Sequence, residues 1–291
     1  MRARTALEKT SNNGSYRWLS EPHWYLWEGG FFLIARADGV VRAHAHHAIQ
    51  IVVAVDGEVT ICGKEEDWRK GPAVIVRPDV VHSFNCNGAL GAMLFVDPES
   101  AEGTWLGNSL KRDITMASGP RLASSVQELR KFIEQPFESM EIGELIRYCV
   151  QALSPGVPPA RRLDPRVTTV LNAIRERDDL HISLESAAKK AFLSPSRFAH
   201  LFKEQVGLPF SRYMLWRKLT RAMVAIASER TISAAAHAAD FADAAHLTRT
   251  FYQMVGMAPS VLMCGEFAEL PSPFDVRAAR SAAQSRNAPA Q

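Results

Sequence analysis

The sequence predicts an α+β chain in two parts. A β-rich sandwich or barrel with two following helices comes first, and an all-α part built on two related helical hairpins comes second. Three observations predict it. Short β-branched and apolar runs separated by turn residues fill the region from Phe31 to Val96. Helix-period stripes replace them from about Leu122 onward. Two later segments then repeat each other at a spacing of 49 residues, as Phe202 and Phe251 mark.

The β-rich runs are FFLIARA, IQIVVAV, EVTIC, AVIVR and AMLFV, broken by Ala37-Asp38-Gly39, Val55-Asp56-Gly57 and Asn87-Gly88. Short strands at this spacing indicate a sandwich or barrel. Helices are expected over Leu122–Gln135 and Glu138–Leu153. Leu129, Phe132 and Ile133 line the first, and Ile142, Leu145, Ile146 and Cys149 line the second. These stripes fit either packing against the β domain or a homodimer surface. Ser154–Pro159 (SPGVPP) reads as a linker by composition. Asp164-Pro165 starts a helix carrying Val167, Val170, Leu171 and Ile174. The resulting organisation is a flexible N-terminus over 1–20, a β-rich domain with its helices over 21–153, a linker over 154–164, and a helical domain over 165–265. A disordered tail is expected over 271–291.

The helical domain carries the repeat. In Ser194–Ser211, Ser194 suits an N-cap and Pro195 the first helical position, where its missing N–H costs nothing. Phe198, Leu201 and Phe202 form a buried stripe, with Arg197, His200 and Lys203 away from it. In Thr231–Met263, a small-residue helix with Ala235 and Ala236 ends near Asp240-Phe241. Asp243 caps the next helix, whose stripe is Leu247, Phe251 and Met254. Gly207 and Gly256 end the two longer helices, where a left-handed residue is cheapest. Ala188 and Ala236 are 48 apart, so the second copy has one extra turn residue. Between the copies, Pro209–Ala227 reads as one helix of roughly 18 residues, about 27 Å long. One pair of short helices with a basic open face fits either a helix-turn-helix or an ordinary helical hairpin, and the second copy favours the helix-turn-helix.

The segments L-S-P-S-R-F…L-F-K…V-G-L-P (Leu193–Pro209) and F-A-D-A-A-H-L-T-R-T-F…V-G-M-A-P (Phe241–Pro259) resemble the AraC family of bacterial transcription regulators. The resemblance covers about 100 residues and is specific, because two non-identical motifs stand in the right order and separation. It implies that each recognition helix enters the DNA major groove by its N-terminal half. The groove-facing candidates are then Ser196, Arg197, Ala199, His200 and Lys203 in the first helix, and Ala244, Ala245, His246, Thr248 and Arg249 in the second. The family pattern assigns His200 and Arg249 to base edges, with Arg249 suited to a bidentate guanine contact. Arg197 and Lys203 fall to phosphates. Two departures stand out. The family usually has Gly where this chain has Phe192 and Asp240; Asp tolerates the left-handed region, Phe poorly, so the first turn is expected to be altered. Ala245 stands where Ser is common, which removes a phosphate contact.

The β-rich domain holds a second constellation. His44, His46 and Gln50 are followed by Gly57, and Gly71 by His82, in the spacing G-x4-H-x-H-x3-Q-x6-G and G-x10-H. In a strand, His44 and His46 point to one face, and His47 to the other, as a surface or supporting residue. This pattern resembles the cupin fold, whose metal enzymes use two His and a Glu from the first motif and a His from the second. Here Gln50 replaces the Glu, Arg77 and Asp79 replace the usual Pro and Gly, and Cys86 the usual Asn. Three imidazoles and an amide can hold a divalent transition metal. The same residues also fit an effector pocket, or satisfied interior histidines. Trp24, Trp27, Trp68 and Phe84 are candidate pocket walls.

Composition bounds the function. The chain has 291 residues, 47% hydrophobic and 22% charged, with net charge +3. No apolar run approaches the roughly 18 residues a membrane span needs, and the N-terminus lacks a signal-peptide core. Cys62, Cys86, Cys149 and Cys264 are scattered and form no CxxC, which fits reduced thiols in a cytoplasmic protein. Residues 1–160 hold 16 Lys+Arg against 19 Asp+Glu, whereas residues 165–264 hold 13 against 8. The basic excess thus falls on the paired motifs, as a DNA partner requires. Two functions fit: a transcription regulator sensing a small molecule or metal, or a metal-dependent cupin enzyme with a helical appendage. The double motif favours the regulator and no enzyme activity. The sequence also offers no evident general base beside the histidines, since Asp56 and Glu58 lie at the following turn.

Overall fold

The computed structural model describes residues 16–27, 30–64, 66–134, 139–153, 163–175, 181–229 and 231–269. The chain divides into two compact units, Met1–Pro158 with Cys264–Gln291, and Pro159–Met263. The expected tail over 271–291 and the Pro/Gly linker at 154–159 lie outside the described residues, as do residues 1–15 of the expected flexible arm. The end of that arm is corrected: Tyr16–Trp18 is a strand. Trp18 is buried there and packs edge-on against Trp24, which holds the segment on the sheet.

The first unit contains β1 (Tyr16–Trp18), β2 (His23–Trp27), β3 (Gly30–Gly39), β4 (Val41–His44), β5 (Ile49–Ala54) and β6 (Val59–Gly63). It continues with β7 (Arg69–Gly71), β8 (Ala73–Val76), β9 (His82–Asn85), β10 (Leu90–Val96) and α1 (Ala101–Ser109). After these come β11 (Ile114–Ala117), α2 (Pro120–Glu134) and α3 (Ser139–Leu153). The last strand, β12 (Glu266–Glu269), follows the second unit in the chain. One sheet runs β11-β8-β5-β10-β3-β2-β12, with β1 on β3; a second runs β4-β9-β6-β7. Among the described residues no ladder joins them, so the barrel is not closed.

Alternation along β5 explains how the layers stack. All six of its residues are buried. Ile49, Ile51 and Val53 share one core with Leu106 of α1, Leu129 of α2 and Ile146 of α3. Burying each such side chain is worth about 1.5–3 kcal/mol. Gln50 and Val52 occupy the opposite face, as the period of two requires. The helices therefore cover one side of the large sheet and leave the other for a polar cluster. The stripe of α2 departs from expectation at Ile133, which is 41% exposed, while Ser125 is fully buried.

The chain returns to this sheet at Gly265, whose φ of +87° is left-handed. A Cβ there would stand 1.9 Å from the Pro22 carbonyl oxygen, so only glycine fits this close approach. Glu266 then pairs in register with His23, parallel to β2.

The second unit holds α4 (Pro165–Arg175), α5 (Leu184–Lys190), α6 (Pro195–Val206), α7 (Phe210–Glu229), α8 (Ile232–Ala238) and α9 (Ala244–Val255), then a 3-10 turn at Pro259–Met263. The repeat is reproduced as a 7-residue helix followed by a 12-residue helix, twice. Each of the four starts with a side-chain cap: Ser183, Ser194, Thr231 and Asp243. Gly207 and Gly256 end the longer helices in the left-handed region. Phe198, Phe202, Phe210 and Tyr213 pack ring against ring beneath α6. The bridging helix α7 has 20 residues, about 30 Å.

The first turn is not altered, contrary to expectation. Phe192 holds φ +55° and Asp240 φ +60°. In both turns the backbone closes the same way: Phe192 N–H donates to Lys189 O and Leu193 N–H to Ala188 O, as Asp240 does to His237 O and Phe241 to Ala236 O. Phe192 avoids a clash by sending its ring into solvent, 94% exposed. It keeps the conformational cost, about 1–2 kcal/mol for a non-glycine residue. Phe192→Gly should therefore stabilise the second unit by about 1 kcal/mol, raising its thermal midpoint by roughly 4 °C or more. An unchanged or lower midpoint in calorimetry would mean that the ring has a partner.

Candidate functional site

The polar cluster lies between the two sheets of the first unit. His44 ends β4 and His82 opens β9, and the two are register partners. Gln50 projects from β5 in the other sheet, paired in register with Phe95 and Val76. His46 comes from the segment joining β4 to β5 and is not in a strand. Strand alternation therefore does not bring His44 and His46 together, as the sequence suggested; the bend after His44 does. All four side chains are buried, Gln50 completely.

The hydrogen bonds set the tautomers. His44 Nδ1 lies 2.7 Å from Arg42 O, His46 Nδ1 3.1 Å from Ala48 O, and His82 Nδ1 2.9 Å from Val80 O. A carbonyl only accepts, so each Nδ1 carries the proton and each neutral ring keeps a lone pair on Nε2. Burial lowers the pKa of all three, His82 to about 3, with the neighbouring rings adding to the effect at His44 and His82. The rings are thus neutral, with one ligand atom from each within 4.8 Å of the others. Gln50 Oε1 stands 3.0 Å from His46 Nε2 and 2.7 Å from His82 Nε2. Gln50 Nε2 is buried with no hydrogen-bond partner among the described residues.

An oxygen facing two unprotonated nitrogens is repulsive. Two arrangements relieve it. The amide can turn over, so that its NH2 donates to both rings. Alternatively, a cation can sit where the lone pairs of the three rings and the amide oxygen converge. Carbonyl-anchored Nδ1–H groups are the usual support of metal-binding histidines. The donor set therefore fits a divalent transition metal. Phe95 packs edge-on against His46 at 5.1 Å, and Phe84 lies 6.3 Å from His44. Of the other candidate walls, Trp27 is buried in the core that Ile49, Ile51 and Val53 share with the helices, Trp24 is buried against Trp18, and Trp68 is 49% exposed and is no pocket wall.

His47 is the residue the pattern undervalued. It is 3% exposed, not at the surface, and its Nδ1 and Nε2 donate to Asp79 Oδ2 (3.0 Å) and Glu99 Oε2 (3.2 Å). Burial opposes its charge, but the two carboxylates outweigh burial and raise its pKa to about 9. Asp79 sits at φ +62°, in the place of the usual glycine of the second motif. The Glu99 side chain is 1% exposed. The buried Glu99 carboxylate therefore engages His47, 52 positions away in the sequence. Only Asp79, out of place for a glycine, hinted at this triad.

On the second unit, Ser196, Arg197, His200 and Lys203 of α6 are exposed, and Ala199 is half-buried. On α9, Ala245 and Arg249 are exposed, while Ala244, His246 and Thr248 are half-buried. The His246 ring packs edge-on against Phe241 at 5.1 Å, and Thr248 Oγ1 donates back to Ala244 O. Both are partly occupied by their own motif.

Comparison with known proteins fixes what these helices are. Residues 187–263 match the family model described as a helix-turn-helix domain. The arabinose operon regulatory protein of Salmonella typhimurium is 28% identical over 105 residues, 35% of this chain and 37% of that protein. The second unit is an AraC-type helix-turn-helix domain. The chain thus spans a little over a third of that relative's length. Over more of its length, the chain is similar in fold to ToxT of Vibrio cholerae. An apo single-residue variant from strain SCE256 matches with TM-score 0.55 and 11% identity, covering 87% of this chain and 98% of that one. Wild-type ToxT bound to an unsaturated fatty acid matches at 0.51 and 11%, covering 87% and 96%. The AraC-type domain is thus accompanied by a sheet-containing unit in a shared mixed α+β architecture. Among the described residues, no helix is long and apolar enough to cross a membrane.

Proposed function

We propose that this chain is a sequence-specific DNA-binding transcription regulator. In this reading, residues 21–153 form a cupin-like sensor, 154–164 a linker and 165–265 the DNA reader. The observation that carries it is the repeated pair of 7- and 12-residue helices, with Arg197, His200 and Lys203 exposed on α6 and Arg249 on α9. An enzyme has no use for two such motifs, and the buried Glu99 carboxylate engages His47.

The sensor's effector is a small molecule or a divalent transition metal held by His44, His46, Gln50 and His82. Imidazole nitrogen suits zinc, nickel, copper or iron, and the metal would supply a charge that orders both sheets around it. That a ToxT structure contains a fatty acid supports a small-molecule effector in a unit of this fold. Elemental analysis of untagged protein separates the two: less than about a tenth of an equivalent leaves the small molecule. A homodimer is proposed through α2 and α3, where Ile133 and Tyr148 remain 41% exposed.

The DNA reading is tested by two variants. α6 and α9 enter successive major-groove segments roughly 10 base pairs apart on one face of the duplex. Arg249→Ala should cost about 1–3 kcal/mol on the selected site and relax preference at one position, as removal of a bidentate guanine contact does. Lys203→Ala should weaken binding to all sequences alike and lower the salt slope by about one unit. Titrations at several salt concentrations distinguish them. If Arg249→Ala weakens specific and random DNA equally, Arg249 serves a phosphate and the assignment of α9 fails.

A further inference from the structure

Asp240 stands at the left-handed position of the second turn, φ +60°, where glycine would sit without strain. Its side chain is not needed to build that turn. The backbone closes it, through Asp240 N–H to His237 O and Phe241 N–H to Ala236 O. Asp243 separately caps α9, accepting from His246 N at 2.6 Å. The Asp240 carboxylate is therefore available for other contacts, and among the described residues it engages two partners. Lys218 Nζ donates to Asp240 Oδ2 and, at 3.0 Å, to its backbone oxygen. His181 Nε2 lies 2.6 Å from Asp240 Oδ1.

These partners belong to different parts of the reader. Lys218 is on the bridging helix α7, and His181 lies two residues before Ser183, the cap of α5 in the first motif. One carboxylate thus joins the turn of the second motif to the bridge and to the flank of the first. The Lys218 and Asp240 side chains are only 24% and 26% exposed, which limits screening of the pair. The matching residue of the first motif, Phe192, points into solvent.

We propose that Asp240 is a positioning residue that fixes the angle between the two recognition helices. The inference rests on the reading of the second unit as a two-headed DNA binder. When one head is bound, the second meets its segment at an effective concentration that depends on geometry. A loosened joint therefore lowers overall affinity even though every DNA-facing side chain is kept. Specificity for the distance between segments comes from the same joint.

Asp240→Gly tests this with little risk to folding, because glycine suits the turn. The probes are the duplex that wild-type protein selects from a randomised pool, the same duplex with one segment scrambled, and the same duplex with one base pair inserted between the segments. Asp240→Gly should keep the wild-type thermal midpoint and single-segment affinity. It should lose about tenfold on the two-segment duplex and discriminate less against the insertion. Lys218→Met should act the same way, and the double variant should add little, since the two residues form one contact. A wild-type profile from Asp240→Gly, in both affinity and spacing preference, overturns the positioning role while leaving DNA reading intact. If wild-type protein selects no sequence, or binds one segment as well as two, the two-headed reading itself falls.

Discussion

Glu99→Ala is expected to cost the first unit about 3–5 kcal/mol, a large fraction of the stability of an ordinary domain. Glu99 and His47 are 1% and 3% exposed, and each holds the other's charge away from water. Truncating the carboxylate leaves an imidazolium buried with Asp79 as its remaining carboxylate, itself 36% exposed. Replacing both His47 and Glu99 by apolar residues of similar size should recover much of the deficit, because no uncompensated charge remains. Chemical denaturation of the single and double variants checks this. A Glu99→Ala protein as stable as wild type would mean that His47 is neutral in the fold.

The same charge gives a pH signature. The folded pKa of His47 is about 9, above the ordinary value of 6.5. Its stabilisation is therefore complete below about pH 6.5 and is lost as pH rises through 9. His82 works in the opposite sense. Its folded pKa is about 3, so the unfolded chain gains a proton first, and stability falls as pH drops below about 6.5. His44 and His46 are lowered too and add to the acid destabilisation. Metal-free protein should thus be most stable near pH 6.5, with Glu99→Ala flattening the alkaline limb alone.

How far the sequence is legible depends on which interactions are local. The two motifs can be read because caps, stripes and terminal glycines lie within a few residues of one another. Ser194, Phe202 and Gly207 each have one physical reason to be where they are. Phe192 misleads because the penalty for a left-handed aromatic is only about 1–2 kcal/mol, which the backbone closure of the turn outweighs. The strands Tyr16–Trp18 and Glu266–Glu269 are hard to see in sequence because they lie at the sheet margin, and their partners are distant along the chain. The convergence of His44, His46, Gln50 and His82 is legible as a spacing. The carbonyl bonds that fix their tautomers are not, since they depend on a bend that alternation cannot foresee. Nor can any pattern link His47 to Glu99 across 52 residues.

Gln50→Glu should raise the affinity of the first unit for zinc or nickel by about 100-fold, roughly 3 kcal/mol. Gln50 Oε1 is within 3.0 Å of two ring nitrogens that have no proton to give, so this oxygen is already where a fourth ligand would be. The amide leaves the dication uncompensated among neutral groups; a carboxylate halves that charge inside a site with almost no water contact. Without metal the sign reverses. A carboxylate at this fully buried position faces lone pairs and must take up a proton or force one onto a ring whose pKa burial has lowered. Metal-free Gln50→Glu should therefore melt below wild type in a chelator, and above it once metal is added, since binding to the folded state alone adds stability. Competition against a chromophoric chelator gives the affinities, and His46→Gln should lower them in either background. A destabilised variant rescued by metal is the outcome that a turned amide in a metal-free pocket does not produce. If Gln50→Glu binds metal no better than wild type, the pocket is held by the amide's own hydrogen bonds and belongs to a small molecule.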